Sequence, residues 1–116
     1  MVLLFETNLP NNDYVFIALT KIFGINIHTS KLLCKKLGFT DNLKVYELNE
    51  DQLDYLKKEI EFSNIIINNE LKKLRNDLFK EKIKKKTYRG LRRLKGLPVR
   101  GQRTHTNAKI SKKKYK

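Results

Sequence analysis

The chain has 116 residues, 33% of them charged, with 26 Lys/Arg against 12 Asp/Glu and a formal net charge of +14. That length carries one small apolar core and excludes two ordinary domains. The single cysteine, Cys34, excludes an intrachain disulfide and fits a reducing compartment, and no apolar run approaches the ~20 residues that span a bilayer.

Met1-Val2-Leu3-Leu4-Phe5 is too short for the apolar region of a signal peptide and lacks a basic flank. The first 20 residues hold no arginine, which argues against a mitochondrial transit peptide. Residues 2–5 read as a short extended segment and Asn8-Leu9-Pro10-Asn11-Asn12 as a turn cluster. Val15, Ala18, Leu19 and Ile22 recur at helical spacing, which predicts an amphipathic helix over 13–23, capped by Asn11, Asn12 or Asp13 and ended by Gly24. A second helix is predicted over Thr29–Leu37, with Leu32, Leu33 and Leu37 inward and Gly38 as its stop. Between the two, Gly24-Ile25-Asn26 makes a short hairpin. Such a hairpin offers backbone N–H groups and a helix N-terminus to a phosphate, with Asn26 tolerating left-handed backbone angles. The alternative is a plain helix–helix connection.

Residues 39–48 read as a loop whose Val45-Tyr46-Glu47-Leu48 covers the helices. Asn49-Glu50-Asp51-Gln52 is a helix start with the pattern of a capping box. Leu53, Leu56 and Ile60 stripe a helix over 50–61, and Ile65-Ile66-Ile67 is read as a buried connector. A fourth helix begins near Asn68 or Asn69, with Leu71, Leu74 and Leu78 as its apolar face. It ends among Lys80, Lys82, Lys84, Lys85 and Lys86, more cations than a helix C-terminus needs. Leu91, Leu94 and Leu97 then edge a short basic helix carrying Arg89, Arg92, Arg93 and Lys95. All three leucine stripes read as core.

Gly96-Leu97-Pro98-Val99-Arg100-Gly101-Gln102-Arg103-Thr104-His105-Thr106-Asn107 cannot build a core. Proline and glycine predict an irregular, mostly extended strap. Its arginine forks and its Gln, Thr and Asn side chains suit phosphate oxygens. The lysine-rich end, Lys109 to Lys116, is predicted to be disordered when free. Residues 1–81 carry 11 Lys/Arg and 12 Asp/Glu, whereas residues 82–116 carry 15 Lys/Arg and no acid. This divides the chain into a helical body, 1–81, and a basic arm, 82–116. Nucleic acid is the partner such an arm fits; an extended strap suits a membrane surface less well than a basic amphipathic helix would.

Nothing points to catalysis, a metal or a cofactor. His28 and His105 are distant from each other and from Cys34, so they make no zinc site. Cys34 lies in a predicted helix and reads as a packed thiol, although Lys35 and Lys36 beside it favour a thiolate. The acids at 50, 51, 54, 59 and 61 read as a solvated or protein-contact face, and no phosphate-loop or dinucleotide fingerprint is present.

The strap, with Tyr88-Arg89-Gly90-Leu91-Arg92 before it, resembles the signature of the universal small-subunit ribosomal protein thirteen family. Ile22-Phe23-Gly24-Ile25 and Cys34-Lys35-Lys36-Leu37-Gly38 match it more distantly, and the likeness covers nearly the whole chain. It implies an all-α fold: a small helical body with helix-hairpin-helix-like and helix-two-turns-helix-like elements, plus a long extended basic C-terminal arm. It further implies a structural constituent of the small-subunit head, beside small-subunit protein nineteen. The body would form inter-subunit bridges with large-subunit protein five and a large-subunit RNA finger, and the tail would approach peptidyl-site transfer RNA. On the residues, Tyr88, Arg89, Arg92, Arg93, Arg100, Arg103, Thr104 and Asn107 would hold small-subunit ribosomal RNA. Gly24, Asn26, Lys84, Lys85, Lys86, Lys95 and Gln102 join them as candidates by position and chemistry. Lys112, Lys113, Lys114 and Lys116 would lie nearest the transfer RNA. With 20 lysines to 6 arginines and much Asn and Ile, the composition fits an AT-rich genome. This is compatible with organelle encoding, and a low-GC bacterium would look similar; the location is read as a mitochondrion, with a low-GC bacterial cytoplasm or a plastid as the alternative. A helix-hairpin-helix repair protein and a basic adaptor are the alternatives.

Overall fold

The computed structural model describes residues 2–113. They fall into two compact units divided between Leu71 and Lys72. The fold is mostly helical, but the all-α expectation is amended by a small two-stranded sheet at the N-terminus. Strand β1 (Val2–Leu4) pairs antiparallel with β2 (Thr7–Leu9), Val2 opposite Leu9 and Leu4 opposite Thr7. The two-residue turn is Phe5-Glu6, both left-handed (φ 47° and 61°). That geometry matches strand twist in tight hairpins and is usually supplied by Asn-Gly. Asn8 and Leu9 are therefore strand, not turn. Alternation puts Leu4 and Leu9 in the core and Leu3 in solvent.

Helix α1 (Val15–Ala18) is shorter than the predicted 13–23 and passes into a 3-10 turn over Leu19–Lys21. Its N-cap is Tyr14, without a side-chain cap bond, so Asn11, Asn12 and Asp13 do not cap it. The Asp13 carboxylate instead pairs with Lys21 at 3.1 Å, and its carbonyl accepts from the Val45 N–H. The stripe Val15, Ala18, Leu19, Ile22 is buried as its spacing requires.

Helix α2 (Ile27–Lys36) buries Ser30, Leu33 and Cys34, while Leu32 points to solvent. Ser30 Oγ donates to the Phe16 carbonyl at 2.6 Å, fixing α2 against α1. Gly38, at φ +72°, closes α2: the Phe39 N–H bonds the Cys34 carbonyl and the Gly38 N–H that of Lys35. Helix α3 (Glu50–Phe62) starts on the reciprocal capping box of Asn49 and Gln52 that the sequence announces, and buries Leu56 and Ile60.

Helix α4 (Asn68–Lys84) begins in the first unit and runs on into the second, and none of its residues is buried. Asn68 ties its start to two distant segments. Its N–H bonds the Phe23 carbonyl, its Oδ1 accepts from the Phe23 N–H, and its Nδ2 donates to the Phe5 carbonyl. The stripe Leu71, Leu74, Leu78 is not core: Leu74 and Leu78 are 41% and 50% exposed. The connector Ile65-Ile66-Ile67 is only half-buried, with Ile66 open to solvent.

In the second unit α4 ends with Lys86 left-handed (φ 53°), its N–H on the Ile83 carbonyl and the Thr87 N–H on that of Lys82. Thr87 then caps helix α5 (Tyr88–Leu94) by accepting from the Gly90 N–H. Leu91 and Leu94 are exposed, so the third leucine stripe is no core either. No helix or strand forms from Leu97 to Ala108, and Lys109–Lys113 make a short helix, α6, where the sequence reads as disordered. Among the described residues no helix is long and apolar enough to cross a membrane.

Candidate nucleic-acid interface

The division at Leu71/Lys72 separates charge more sharply than the sequence reading at 81/82. Residues 1–71 carry 7 Lys/Arg and 10 Asp/Glu; residues 72–116 carry 19 Lys/Arg and 2 Asp/Glu, a net of +17. A surface of this sign attracts a polyanion.

Gly90 fixes the start of the interface. A Cβ there would stand 2.8 Å from the carbonyl carbon and oxygen of Lys82, so only glycine lets α5 turn this closely off the end of α4. Thr87 Oγ1 also donates to the Lys82 carbonyl, at 3.0 Å. The three α5 arginines sit differently. Arg89 is exposed. Arg92 donates from Nε to the Pro98 carbonyl at 3.1 Å and stacks 5.9 Å from the Tyr88 ring centroid. It therefore pins the start of the strap to α5. Arg93 lies 4.4 Å from the centroid of Phe79.

The chain leaves α5 through Gly96, at φ +68°, with Lys95 as the preceding C-cap; the Gly96 N–H bonds the Arg93 carbonyl and the Leu97 N–H that of Arg92. Beyond it, Arg100, Gln102, Arg103, Thr104 and Asn107 are all exposed. Gln102 and Asn107 share with Pro98 and Ile110 the lining of an open concavity of about 650 Å³. Gly101 is left-handed (φ +69°), but nothing lies within 4 Å of its would-be Cβ, so it serves conformation and not close approach. Thr106 and Ala108 are left-handed as well.

Lys84, Lys85 and Lys86 lie at the end of α4. Lys85 is paired with Glu81, and that hydrogen bond, with the charge of Lys85, holds the Glu81 carboxyl below its ordinary range. Lys112 and Lys113 are exposed on α6; Lys114 and Lys116 lie outside the described residues.

Gly24 and Asn26 belong to the first unit, and each has a local structural role. Gly24 is at φ +112°, and a Cβ on it would meet the Ile66 carbonyl oxygen at 2.9 Å. Asn26 is not left-handed: at φ −98° it is the N-cap of α2, its side chain accepting from the Ile27 N–H at 2.7 Å. The N–H groups of His28 and Thr29, in the first turn of α2, have no acceptor within the helix.

The Cys34 thiol is buried, and burial, the larger cause, pushes its pKa up with help from the Asp41 charge, against a hydrogen bond with Ser30 that lowers it. This is the packed thiol the sequence suggests. Among the described residues no group of His, Cys, Asp and Glu is placed to hold a metal ion.

The basic arm of the sequence reading begins at residue 82, whereas the second unit also takes in Lys72 and Arg75. Both line a groove of about 410 Å³ with Phe79, Lys82 and Arg93. Residues 72, 75, 79 and 82 are spaced so that they share one helical face.

The family model described as "Ribosomal protein S13/S18" matches residues 3–110. The small ribosomal subunit protein uS13m of Marchantia polymorpha is 45% identical over 107 residues, covering 92% of this chain and 88% of that protein.

Proposed function

This chain belongs to the ribosomal protein S13/S18 family, and from that premise we propose that it holds ribosomal RNA in the small subunit through its C-terminal third. It is a structural, non-enzymatic constituent of the small ribosomal subunit, of the organellar type, and its place is the mitochondrion. The observation that carries the RNA reading is charge: a net of +17 in residues 72–116, with Arg100 and Arg103 exposed on a strap that has no helix or strand of its own. Such a segment gains order from a polyanion, and its affinity comes largely from counterion release.

Functionally we divide the chain into a helical body, 1–81, and an RNA-binding arm, 82–116. The body combines a helix-hairpin-helix-like element around Gly24–Asn26 with a helix-two-turns-helix-like element. In the arm, Lys84, Lys85, Lys86, Tyr88, Arg89, Arg92, Arg93, Lys95, Arg100, Gln102, Arg103, Thr104 and Asn107 meet small-subunit RNA, to which Gly24 and Asn26 add a contact from the body. Lys112, Lys113, Lys114 and Lys116 come nearest the peptidyl-site transfer RNA. The body neighbours small-subunit protein nineteen and bridges to large-subunit protein five and an RNA finger.

The test is charge reversal, Arg100→Glu with Arg103→Glu. Assembly into the small subunit is expected to fail while circular dichroism shows the helices intact. Normal assembly would remove the strap from the RNA contact. Deleting Lys112–Lys116 is expected to leave assembly intact and to weaken transfer-RNA retention.

A further inference from the structure

Pro98, Gln102 and Asn107 on the strap and Ile110 on α6 line one open concavity of about 650 Å³, within the range of about 300–1,000 Å³ that small-ligand sites occupy. A single cation, Lys109, and no carboxylate share that lining. The unit around it carries 19 Lys/Arg, so the neutral chemistry of this one hollow sets it apart. Cations meet phosphates best. Amides instead present a donor and an acceptor side by side, as the edge of a nucleic-acid base does. Apolar side chains suit the face of such a ring.

Both walls are tied to helices. Arg92 on α5 donates from Nε to the Pro98 carbonyl at 3.1 Å, and Ile110 is carried by α6. Between the walls, Thr106 and Ala108 stand on either side of Asn107 with left-handed backbones, at φ 63° and 65°. Neither is a residue that takes this conformation easily, and for the β-branched threonine it is an outlier. Strain of this kind persists where contacts over-determine the chain, and it collects at ligand clamps.

We propose that this concavity seats one unpaired base of small-subunit ribosomal RNA. Gln102 and Asn107 hydrogen-bond its Watson–Crick edge, and Pro98 and Ile110 lie against its faces. The proposal rests on the RNA-binding reading above and deepens it. Arg100 and Arg103 meet the backbone, which is alike at every nucleotide, whereas a seated base fixes the register of the strap on the RNA. Loops and bulges of folded RNA supply such bases.

The test uses the full chain on a small-subunit ribosomal RNA transcript, footprinted in two ways. Hydroxyl radicals report protected backbone; dimethyl sulfate and a carbodiimide report the Watson–Crick edges of unpaired bases. The native chain is expected to protect a backbone tract and an unpaired base within it. Gln102→Ala with Asn107→Ala is expected to re-expose that base, to keep the backbone tract and to weaken binding about tenfold. Ile110→Ser, which leaves both amides in place, is expected to re-expose the same base. Base protection that survives in both variants would overturn the proposal. So would loss of base and backbone protection together in the amide variant, since the amides would then serve only the general hold of the strap. A backbone tract without any protected unpaired base in the native footprint would remove the seated base and leave the RNA reading standing. If the native chain protects no backbone at all, the RNA reading itself falls.

Discussion

The Arg93 guanidinium lies 4.4 Å from the centroid of the Phe79 ring and so couples α5 to the end of α4. Phe79→Leu keeps an apolar side chain there and removes the π face. It is expected to lower stability by about 0.5–1 kcal/mol, the range for a partly solvated cation–π pair. Denaturant unfolding followed by helix signal measures it; an unchanged midpoint would show that the ring does not hold the cation.

Gly90 and Gly101 look alike in sequence and differ in what surrounds them. Gly90→Ala forces a Cβ to within 2.8 Å of the Lys82 carbonyl, and overpacking of that kind costs about 1–3 kcal/mol. Gly101→Ala meets open space and pays only for its left-handed backbone, about 1–2 kcal/mol. Circular dichroism is therefore expected to register loss of helix for the first and none for the second.

Asn26 is a helix cap in this structure. Asn26→Ala is expected to cost about 1 kcal/mol, Asn26→Asp almost nothing, and Asn26→Gly a few tenths. A left-handed turn residue would give another order, with glycine the best of the three. Thermal unfolding of the three variants distinguishes them.

What the sequence disclosed, and what it hid, follows the range of the signal. The Asn49–Gln52 box, the buried Val15–Ile22 stripe and the irregular strap are local patterns, and each appears where its residues predict it. The hairpin was hidden because Phe5-Glu6 carries none of the usual turn chemistry. Asn68, which bonds both Phe5 and Phe23, acts across the sequence and has no local mark. The α4 leucines misled for a physical reason: helical spacing makes an apolar edge but does not supply a partner to cover it. Within the interface, the arginines of α5 and the strap were legible as cations. That Arg92 would spend its Nε on the Pro98 carbonyl was not.

The Cys34 thiol has a raised pKa because it is buried. A group raised on folding contributes stability that is complete below its unfolded pKa and is lost as pH rises through the folded one. Stability is thus expected to fall on the alkaline side as the thiol ionises, and Cys34→Ser to remove that part of the decline. In the native protein Cys34 is expected to resist a thiol-specific reagent at mildly alkaline pH until denaturant is added. Rapid reaction without unfolding would contradict the packed-thiol reading.

We propose that this chain is built into the small subunit through ribosomal RNA. Co-sedimentation of the native protein on a density gradient, before and after a high-salt wash, tests it most directly. The expected result is migration with the small subunit that survives the wash, as a strap enclosed by RNA, and not laid on its surface, requires. Release by modest salt, or absence from ribosomal fractions, would contradict it.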